Sequence, residues 1–335
     1  AVAGSAARAA LAAALLNLLS AGDNLLSVSS LFGGTYSLLR NVLQPLGIET
    51  RFVPADDVRA MEEAIDGRTR AIFLETISNP CMIVPDVGRI AAVARDRKIV
   101  VIADSTVTTP YLFQAGAFGV NLVIHSTTKY FSGGATSMGG IVVDLGNFDW
   151  AAVPSLNNYH RFGEWAFIAR LRKEVYRETG SCLSPHHAYL QTLGLETLSL
   201  RMEKLCGNAQ RIAEYLDGHA AVRSVLFPGL SSSPYHAIAG RQFRGRFGGI
   251  LSFNLSDREA CFRFLNGLSL VRRASNLGDN KSLALHAAST IFAGIPPDEL
   301  KTLGVDDTLI RLSAGIEEVE DLLEDIGGAL EGRGR

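Results

Sequence analysis

The residues best suited to chemistry follow two apolar segments. Leu122–Ile124 leads through four polar residues to Lys129, and Ile99–Ala103 leads directly to Asp104. A buried ammonium must find a partner, lose its proton or form a covalent bond, such as an imine with an aldehyde cofactor. A carboxylate opposite a pyridine nitrogen keeps that nitrogen protonated as an electron sink. The pair predicts a pyridoxal 5'-phosphate (PLP) site, although on spacing alone a capping aspartate and a surface lysine are an equal alternative.

Hydroxyl groups near this pair could bind the phosphate. Ser126 and Thr128 precede the lysine, and Thr106 follows the aspartate and is expected near the ring. Local capping of the backbone is the alternative for these hydroxyls. The Ala/Leu-rich stretch 1–19 is interpreted as a buried first helix, whose start at Gly4–Ala7 offers free N–H groups to a phosphate.

Several ordered motifs resemble the Cys/Met metabolism family of PLP enzymes, which includes O-acetylhomoserine sulfhydrylases, cystathionine synthases and lyases, and methionine lyases. The resemblance covers nearly the whole chain and is closest to the sulfhydrylase branch around 276–283. The motifs that carry it are Ser30–Tyr36, Glu75–Pro80, Asp104–Thr106, Ser126–Lys129, Gly194–Leu198, Asn276–Asp279 and Arg311–Glu317.

The resemblance implies roles for individual residues. Lys129 is expected to hold the cofactor and to move protons at the substrate Cα, and Asp104 to pair with the ring nitrogen. Asn79 matches the asparagine that bonds the phenolic oxygen of the cofactor, and Arg311 matches the binder of the substrate carboxylate. Further matches are Asn276 near that carboxylate, and Ala7 and Arg8 in the phosphate loop.

The most informative departure is Phe32, which stands where the family usually has a tyrosine. Its ring can stack on the cofactor but cannot transfer a proton. Tyr36, Tyr111 and Tyr130 are candidates to replace the missing hydroxyl. Ala7-Arg8 replaces Gly-Met or Gly-Gln, Val107-Thr108 lies in an altered strand end, and Ala287 and Ile291-Phe292 replace Pro and Thr-His.

These departures predict a lyase that cleaves the carbon–sulfur bond of cysteine or a cysteine S-conjugate by β-elimination. A thiol or persulfide, pyruvate and ammonia would be released, and the lyase could be a domain of a larger biosynthetic enzyme. The alternative is O-acetylhomoserine sulfhydrylase, a γ-replacement that makes homocysteine. A non-catalytic structural or docking domain is the alternative of another class.

Composition excludes other classes. The chain has 335 residues, 47% hydrophobic, with formal net charge −2 and no basic run, so neither nucleic acid nor a membrane is expected as a partner. Four cysteines without a C-x-x-C pair favour a reducing cytoplasm and no structural metal. The glycine-rich stretch 132–140 matches neither a nucleophile elbow nor a nucleotide loop.

Apolar runs alternate with helical patterns and predict an α/β fold, a mainly parallel sheet with helices on both faces. The resemblance makes this PLP fold type I, as in aspartate aminotransferase, with a smaller C-terminal α+β domain. Domain boundaries are expected at 1–184 and 185–335. The family resemblance also implies a homodimer or homotetramer with shared active sites, and an N-terminal arm that the sequence does not include. The predicted strands are 25–28, 48–53, 71–74, 99–103, 122–124, 141–143 and 249–255, and the predicted helices 58–65, 87–95, 187–216 and 317–330.

Overall fold

The computed structural model describes residues 1–333 and contains two sheets surrounded by helices. The strands are β1 (Val2–Gly4), β2 (Asn24–Val28), β3 (Glu49–Val53), β4 (Thr69–Glu75), β5 (Val100–Asp104), β6 (Leu122–His125), β7 (Gly140–Asp144), β8 (Ser224–Leu226), β9 (Ile250–Asn254), β10 (Arg272–Arg273), β11 (Leu283–His286) and β12 (Leu309–Ser313). The α-helices are α1 (Ala7–Leu18), α2 (Gly33–Leu38), α3 (Val58–Glu63), α4 (Val87–Asp96), α5 (Thr109–Leu112), α6 (Ala166–Lys173), α7 (Val175–Thr179), α8 (Pro185–Glu196), α9 (Leu198–Asp217), α10 (His236–Gln242), α11 (Arg258–Gly267), α12 (Pro297–Thr302) and α13 (Val319–Leu330).

The first sheet has the strand order β1-β7-β6-β5-β4-β2-β3. Strands β2 to β6 run parallel to one another. At one edge β7 pairs antiparallel with β6, and β1 pairs antiparallel with β7. The central strands are buried and apolar, as parallel strands covered on both faces must be. The predicted strands of this sheet and its mainly parallel direction are confirmed.

The start of the chain differs from the prediction. Residues Val2–Gly4 form the edge strand β1, paired with Ile141 and its neighbours, and the first helix begins only at Ala7. Alternation over three residues is too short to distinguish a strand from the beginning of an Ala-rich helix.

The second sheet has the order β10-β11-β12-β9-β8 and is mostly antiparallel. Helices α9, α11 and α13 supply apolar side chains to its core. The predicted connector 187–216 is two helices, α8 and α9, which meet at Thr197. The predicted boundary between residues 184 and 185 falls directly before α8, and the division into two domains stays a prediction.

The parallel strands place their last residues at one edge of the first sheet. Glu75 is paired in register with Asp104, and Asp104 with Ile124. The chain then turns after His125, where the Lys129 N–H donates to the Ser126 carbonyl at 3.3 Å. This edge therefore collects the polar ends of β4, β5 and β6, as expected for ligand sites in such sheets.

A third apolar cluster, built around Leu285, Phe292 and Leu303, closes the structure over α2. A Cβ on Gly33 would lie 2.8 Å from the Ile291 carbonyl oxygen, so only glycine permits this approach. Across residues 1–333, helices of the length and apolarity that crossing a membrane requires are absent.

Candidate active site

A cavity of about 240 Å³ lies at the carboxyl edge of the first sheet. Nine of the site residues predicted from the sequence line this cavity. These are Ala7, Arg8, Phe32, Asn79, Asp104, Thr106, Ser126, Thr128 and Lys129. A larger cavity of about 570 Å³, at the opposite edge between α4 and the start of β5, contains none of them, so the chemistry is expected in the smaller one.

Lys129 projects into the cavity from the turn after β6. Its Nζ donates to the Asn276 Oδ1 at 2.5 Å. Burial, and to a smaller degree the charge of Arg311, lowers the pKa of this amine to about 8. At pH 7 roughly a tenth of the amine is therefore unprotonated, far more than for a free lysine, and this is the form that attacks an aldehyde.

Asp104 is oriented by Thr106, which Ser126 in turn holds in place. The Thr106 N–H donates to the Asp104 Oδ1 at 2.8 Å, and the Thr106 hydroxyl accepts from the Ser126 N–H at 2.7 Å. Burial raises the pKa of Asp104, and the Thr106 hydrogen bonds oppose this rise. Within residues 1–333 no cationic side chain forms an ion pair with this carboxylate. The carboxylate can accept a cationic ligand atom.

One part of the cavity wall is formed by the N-terminus of α1. Ala6 is extended and gives no side-chain cap, so the first N–H groups of the helix remain available. A Cβ on Gly140 would lie 2.4 Å from the Ala6 carbonyl oxygen, which shows how tightly β7 supports this loop. Arg8 is exposed, with its Cδ 3.4 Å from the position of a Cβ built on Gly34. Backbone donors, a helix dipole and a guanidinium make this end suitable for an anion.

The two predicted hydroxyls near the lysine differ. Thr128 Oγ1 donates to the Gly139 carbonyl at 3.1 Å and accepts from the Gly139 N–H at 3.0 Å. Its hydroxyl is thus engaged locally, as the capping alternative expects, although the side chain lines the cavity. Ser126 is held through its backbone, with its N–H donating to the Thr106 hydroxyl and its carbonyl accepting from the Lys129 N–H. Its hydroxyl has no hydrogen-bond partner among the described residues and can turn towards a ligand.

Asn276 and Arg311 lie just behind the cavity wall and do not line it. Arg311 is fully buried on β12, and its Nη2 donates to the Asn276 carbonyl at 2.7 Å and to the Ser275 carbonyl at 3.5 Å. Burial lowers its pKa to about 10. The segment that carries Asn276 therefore separates this guanidinium from Lys129, to which the asparagine side chain is bonded.

The three tyrosines considered as replacements for the missing hydroxyl do not line the cavity. The Tyr36 hydroxyl donates to Glu299 and the Tyr111 hydroxyl to Glu203. Tyr130 is fully buried, with its hydroxyl 3.3 Å from a Cβ built on Gly249. Among the described residues, the ionisable side chains that line the cavity are Arg8, Glu75, Asp104 and Lys129.

Glu75 belongs to one of the family motifs but is not among the predicted site residues. Its Oε1 accepts from the Phe32 N–H at 2.9 Å, and it lines the cavity next to Asp104. The signal in the sequence was its place as the last residue of an apolar run, the same signal that identified Asp104.

Comparison with known proteins identifies the family. The model of the Cys/Met metabolism PLP-dependent enzymes matches residues 1–331. The chain belongs to this family. The predicted resemblance, the PLP dependence and the fold type I architecture are thereby confirmed.

Members of the family with different reactions are similar to this chain. The O-acetylhomoserine sulfhydrylase structure from Wolinella succinogenes has a TM-score of 0.88 and 45% identity, over 98% of this chain and 91% of that one. The O-acetylhomoserine (thiol)-lyase structure from Campylobacter jejuni, which contains a pyridoxyl-lysine phosphate, has a TM-score of 0.91 and 35% identity, over 98% and 82%. Cystathionine gamma-lyase of Bacillus subtilis is 38% identical over 318 residues, 95% of this chain and 79% of that protein.

The residues of this Cys/Met family member fit PLP. The side-chain oxygen of buried Asn79 and the Nε of Arg311 have no partner among the described residues, and both can bond polar groups of a ligand. The N-terminus of α1 provides donors for a phosphate, and Asp104 an acceptor for a protonated ring nitrogen.

Proposed function

We propose that this enzyme cleaves a carbon–sulfur bond in cysteine or a cysteine S-conjugate by β-elimination. The supporting observation is the cavity wall, in which Phe32 provides a ring without a hydroxyl. Of the candidate tyrosines, Tyr36 and Tyr111 are hydrogen-bonded to glutamates elsewhere, and Tyr130 does not line the cavity. Reactions at Cγ require a proton to move at Cβ as well as at Cα, whereas β-elimination requires only loss of the Cα proton and expulsion of the sulfur. Among the described residues that line the cavity, Lys129 is the one amine, and this favours the simpler sequence of proton transfers.

We assign the following roles. When bound, PLP provides an electron sink for the bonds at the substrate Cα. Lys129 attaches the cofactor and afterwards takes the Cα proton, for which its lowered pKa is suited. Asp104 holds the proton on the ring nitrogen, Asn79 orients the ring through its phenolic oxygen, and Phe32 stacks on it.

The phosphate and the substrate carboxylate are assigned to different groups. The N–H groups of Ala7 and Arg8, the Arg8 guanidinium and the Ser126 hydroxyl bind phosphate oxygens, while Thr106 lies near the ring beside Asp104. Arg311 binds the α-carboxylate, assisted by Asn276, and its Nε, which has no partner among the described residues, is available for this bond.

A second reaction is favoured by the comparisons. Two of the similar structures described above are from enzymes of O-acetylhomoserine and sulfur transfer. The segment 276–283 also resembles that branch. Under this alternative the enzyme replaces the acetoxy group with sulfide and makes homocysteine, with Lys129 moving protons at both Cα and Cβ. A non-catalytic docking role has no support in a family of enzymes.

One assay separates the two reactions. PLP-loaded protein is incubated with L-cysteine or cystine, and separately with O-acetylhomoserine plus sulfide, and pyruvate and homocysteine are quantified. Pyruvate from the first and no homocysteine from the second would support β-elimination. Homocysteine without pyruvate would overturn it in favour of the sulfhydrylase. The shared-site oligomer and the cytoplasmic location stay predictions, which sedimentation and cell fractionation would test.

A further inference from the structure

Glu75 has contacts that the roles assigned above do not use. It ends β4 and is buried, with 6% of its surface exposed. Its Oε1 accepts from the Phe32 N–H at 2.9 Å, and the backbone N–H of Asn79 also stabilises its charged form. One carboxyl group is therefore hydrogen-bonded to the loop carrying the stacking ring and lies close to the backbone of the asparagine proposed to bond the phenolic oxygen.

Glu75 also lies next to Asp104. The two residues are paired in register on adjacent parallel strands, so their side chains leave the same face of the sheet. Two ionised carboxylates placed side by side in a buried site repel each other, and one of them retains a proton. The charged or ionisable groups near Glu75 are Asp104 on β5, Lys129 after β6, Arg8 on α1 and Cys81 after β4.

We propose that Glu75 is a positioning residue of the PLP site, held in its acid form beside Asp104 and fixing the places of Phe32 and Asn79. Asp104 then carries the single negative charge of the pair, which matches the single positive charge of a protonated ring nitrogen. The inference rests on the PLP dependence of the family and holds for either proposed reaction.

The electrostatics agree with this assignment. Burial, and then the charge of Asp104, raises the pKa of Glu75 to about 8, and the N–H groups of Phe32 and Asn79 oppose the rise without cancelling it. At neutral pH the proton stays on Glu75. Its carbonyl oxygen still accepts the Phe32 N–H, because a carboxylic acid keeps acceptor capacity.

The first test compares PLP-loaded wild-type protein with Glu75→Gln and with Glu63→Gln, a matched change at an exposed glutamate of α3. Infrared spectra are recorded near neutral pH, and the spectrum of each variant is subtracted from that of the wild type. The wild-type spectrum should contain a carboxylic acid C=O band that is lost in Glu75→Gln and retained in Glu63→Gln. If the band is unchanged in Glu75→Gln, the residue is ionised and the proposal is wrong.

The second test follows stability with pH. The ordinary pKa of a glutamate is 4.5, whereas that of Glu75 in the folded protein is about 8. At a pH between these values Glu75 is protonated in the folded protein and ionised in the unfolded chain. The free energy of unfolding of the wild type therefore falls as the pH rises through this range. Glu75→Gln should therefore become progressively more stable than wild type over this range, with no further change above it. A constant difference across the range would overturn the proposal.

The third test concerns position. Glu75→Leu leaves the Phe32 N–H without its acceptor and should weaken PLP binding by about 10-fold, whereas Glu75→Gln keeps an acceptor and should bind within about 2-fold of wild type. Equal PLP affinities for the two variants would contradict a positioning role. Should Glu75→Leu fail to fold, the spectrum and pH profile of Glu75→Gln still decide the question.

Discussion

At the scale of single residues, Phe32 offers a test of reaction choice. Phe32→Tyr adds a hydroxyl to a ring that already lines the cavity, with little change in volume. We expect homocysteine formation from O-acetylhomoserine to rise by about 10-fold or more relative to pyruvate formation from cysteine, because a positioned acid–base group contributes roughly 10²–10⁴-fold to proton transfer. The measurement is the ratio of kcat/KM for the two substrates.

The control for this change is Phe262→Tyr, which adds the same hydroxyl to a partly exposed ring on α11. It should leave the ratio unaltered. An unchanged ratio in Phe32→Tyr as well would mean that the missing hydroxyl does not determine the reaction.

Lys129 gives a prediction about pH. The amine has a pKa lowered to about 8, and only its neutral form bonds to an aldehyde. The rate of PLP attachment should therefore increase with pH and level off above pH ~9, with a midpoint near 8, instead of the value of about 10.4 for a free lysine. Stopped-flow absorbance would measure it. Lys98→Ala should retain the profile and Lys129→Ala should lose attachment, and a midpoint near 10 would contradict the burial argument.

The site could be predicted residue by residue where a polar side chain ends an apolar run. Asp104 and Lys129 were found in this way, and the structure brings them to one cavity. The positions of Asn276 and Arg311 behind the wall could not be predicted, because they depend on how β12 packs against a loop distant in sequence. The Thr128 hydroxyl was equally undetermined, since its partner Gly139 reaches it only after the chain has turned back.

At the scale of elements, the contact between β7 and the start of α1 shapes the phosphate end. Gly140→Ala would place a Cβ 2.4 Å from the Ala6 carbonyl oxygen. We expect a loss of about 1–3 kcal/mol in stability, the usual cost of overpacking, together with weaker PLP binding. Urea unfolding and PLP titration would measure the two effects.

The matched change is Gly207→Ala in the middle of α9, where an added Cβ meets nothing within 4 Å. It should raise stability by about 0.5–1 kcal/mol, as alanine does in helices, and leave PLP binding unaltered. If Gly140→Ala behaves in the same way, β7 does not constrain the loop.

The parallel core was predictable because its strands are short, apolar and separated by helical patterns. Strand β1 was not, since its three residues are too few to show a period and its pairing with β7 is a tertiary contact. The break between α8 and α9 at Thr197 was also not predictable, because the helical sequence pattern continues on both sides of this residue.

At the scale of the whole molecule, hydrogen bonds join the second sheet to the loop after β4. Buried Ser252 on β9 donates its hydroxyl to the Pro80 carbonyl at 2.8 Å, next to Asn79. Ser252→Ala leaves this carbonyl without its donor and should cost about 1–3 kcal/mol of stability. Because Asn79 is its neighbour, PLP affinity should also fall, as fluorescence titration would reveal. Ser232→Ala, at an exposed loop position, should change neither quantity.

The position of Arg311 has a consequence for selectivity. In the role proposed for Arg311, the substrate carboxylate meets a guanidinium whose Nη2 already donates to two main-chain carbonyl oxygens and whose buried Nε has no partner among the described residues. A carboxylate forms a stronger bond to a guanidinium than a carbonyl oxygen does, so it can take the Nε and compete for Nη2. A ligand without a carboxylate would leave the buried Nε without an acceptor. Under this role, decarboxylated analogues should bind more weakly than the amino acid even where they fit the cavity by shape.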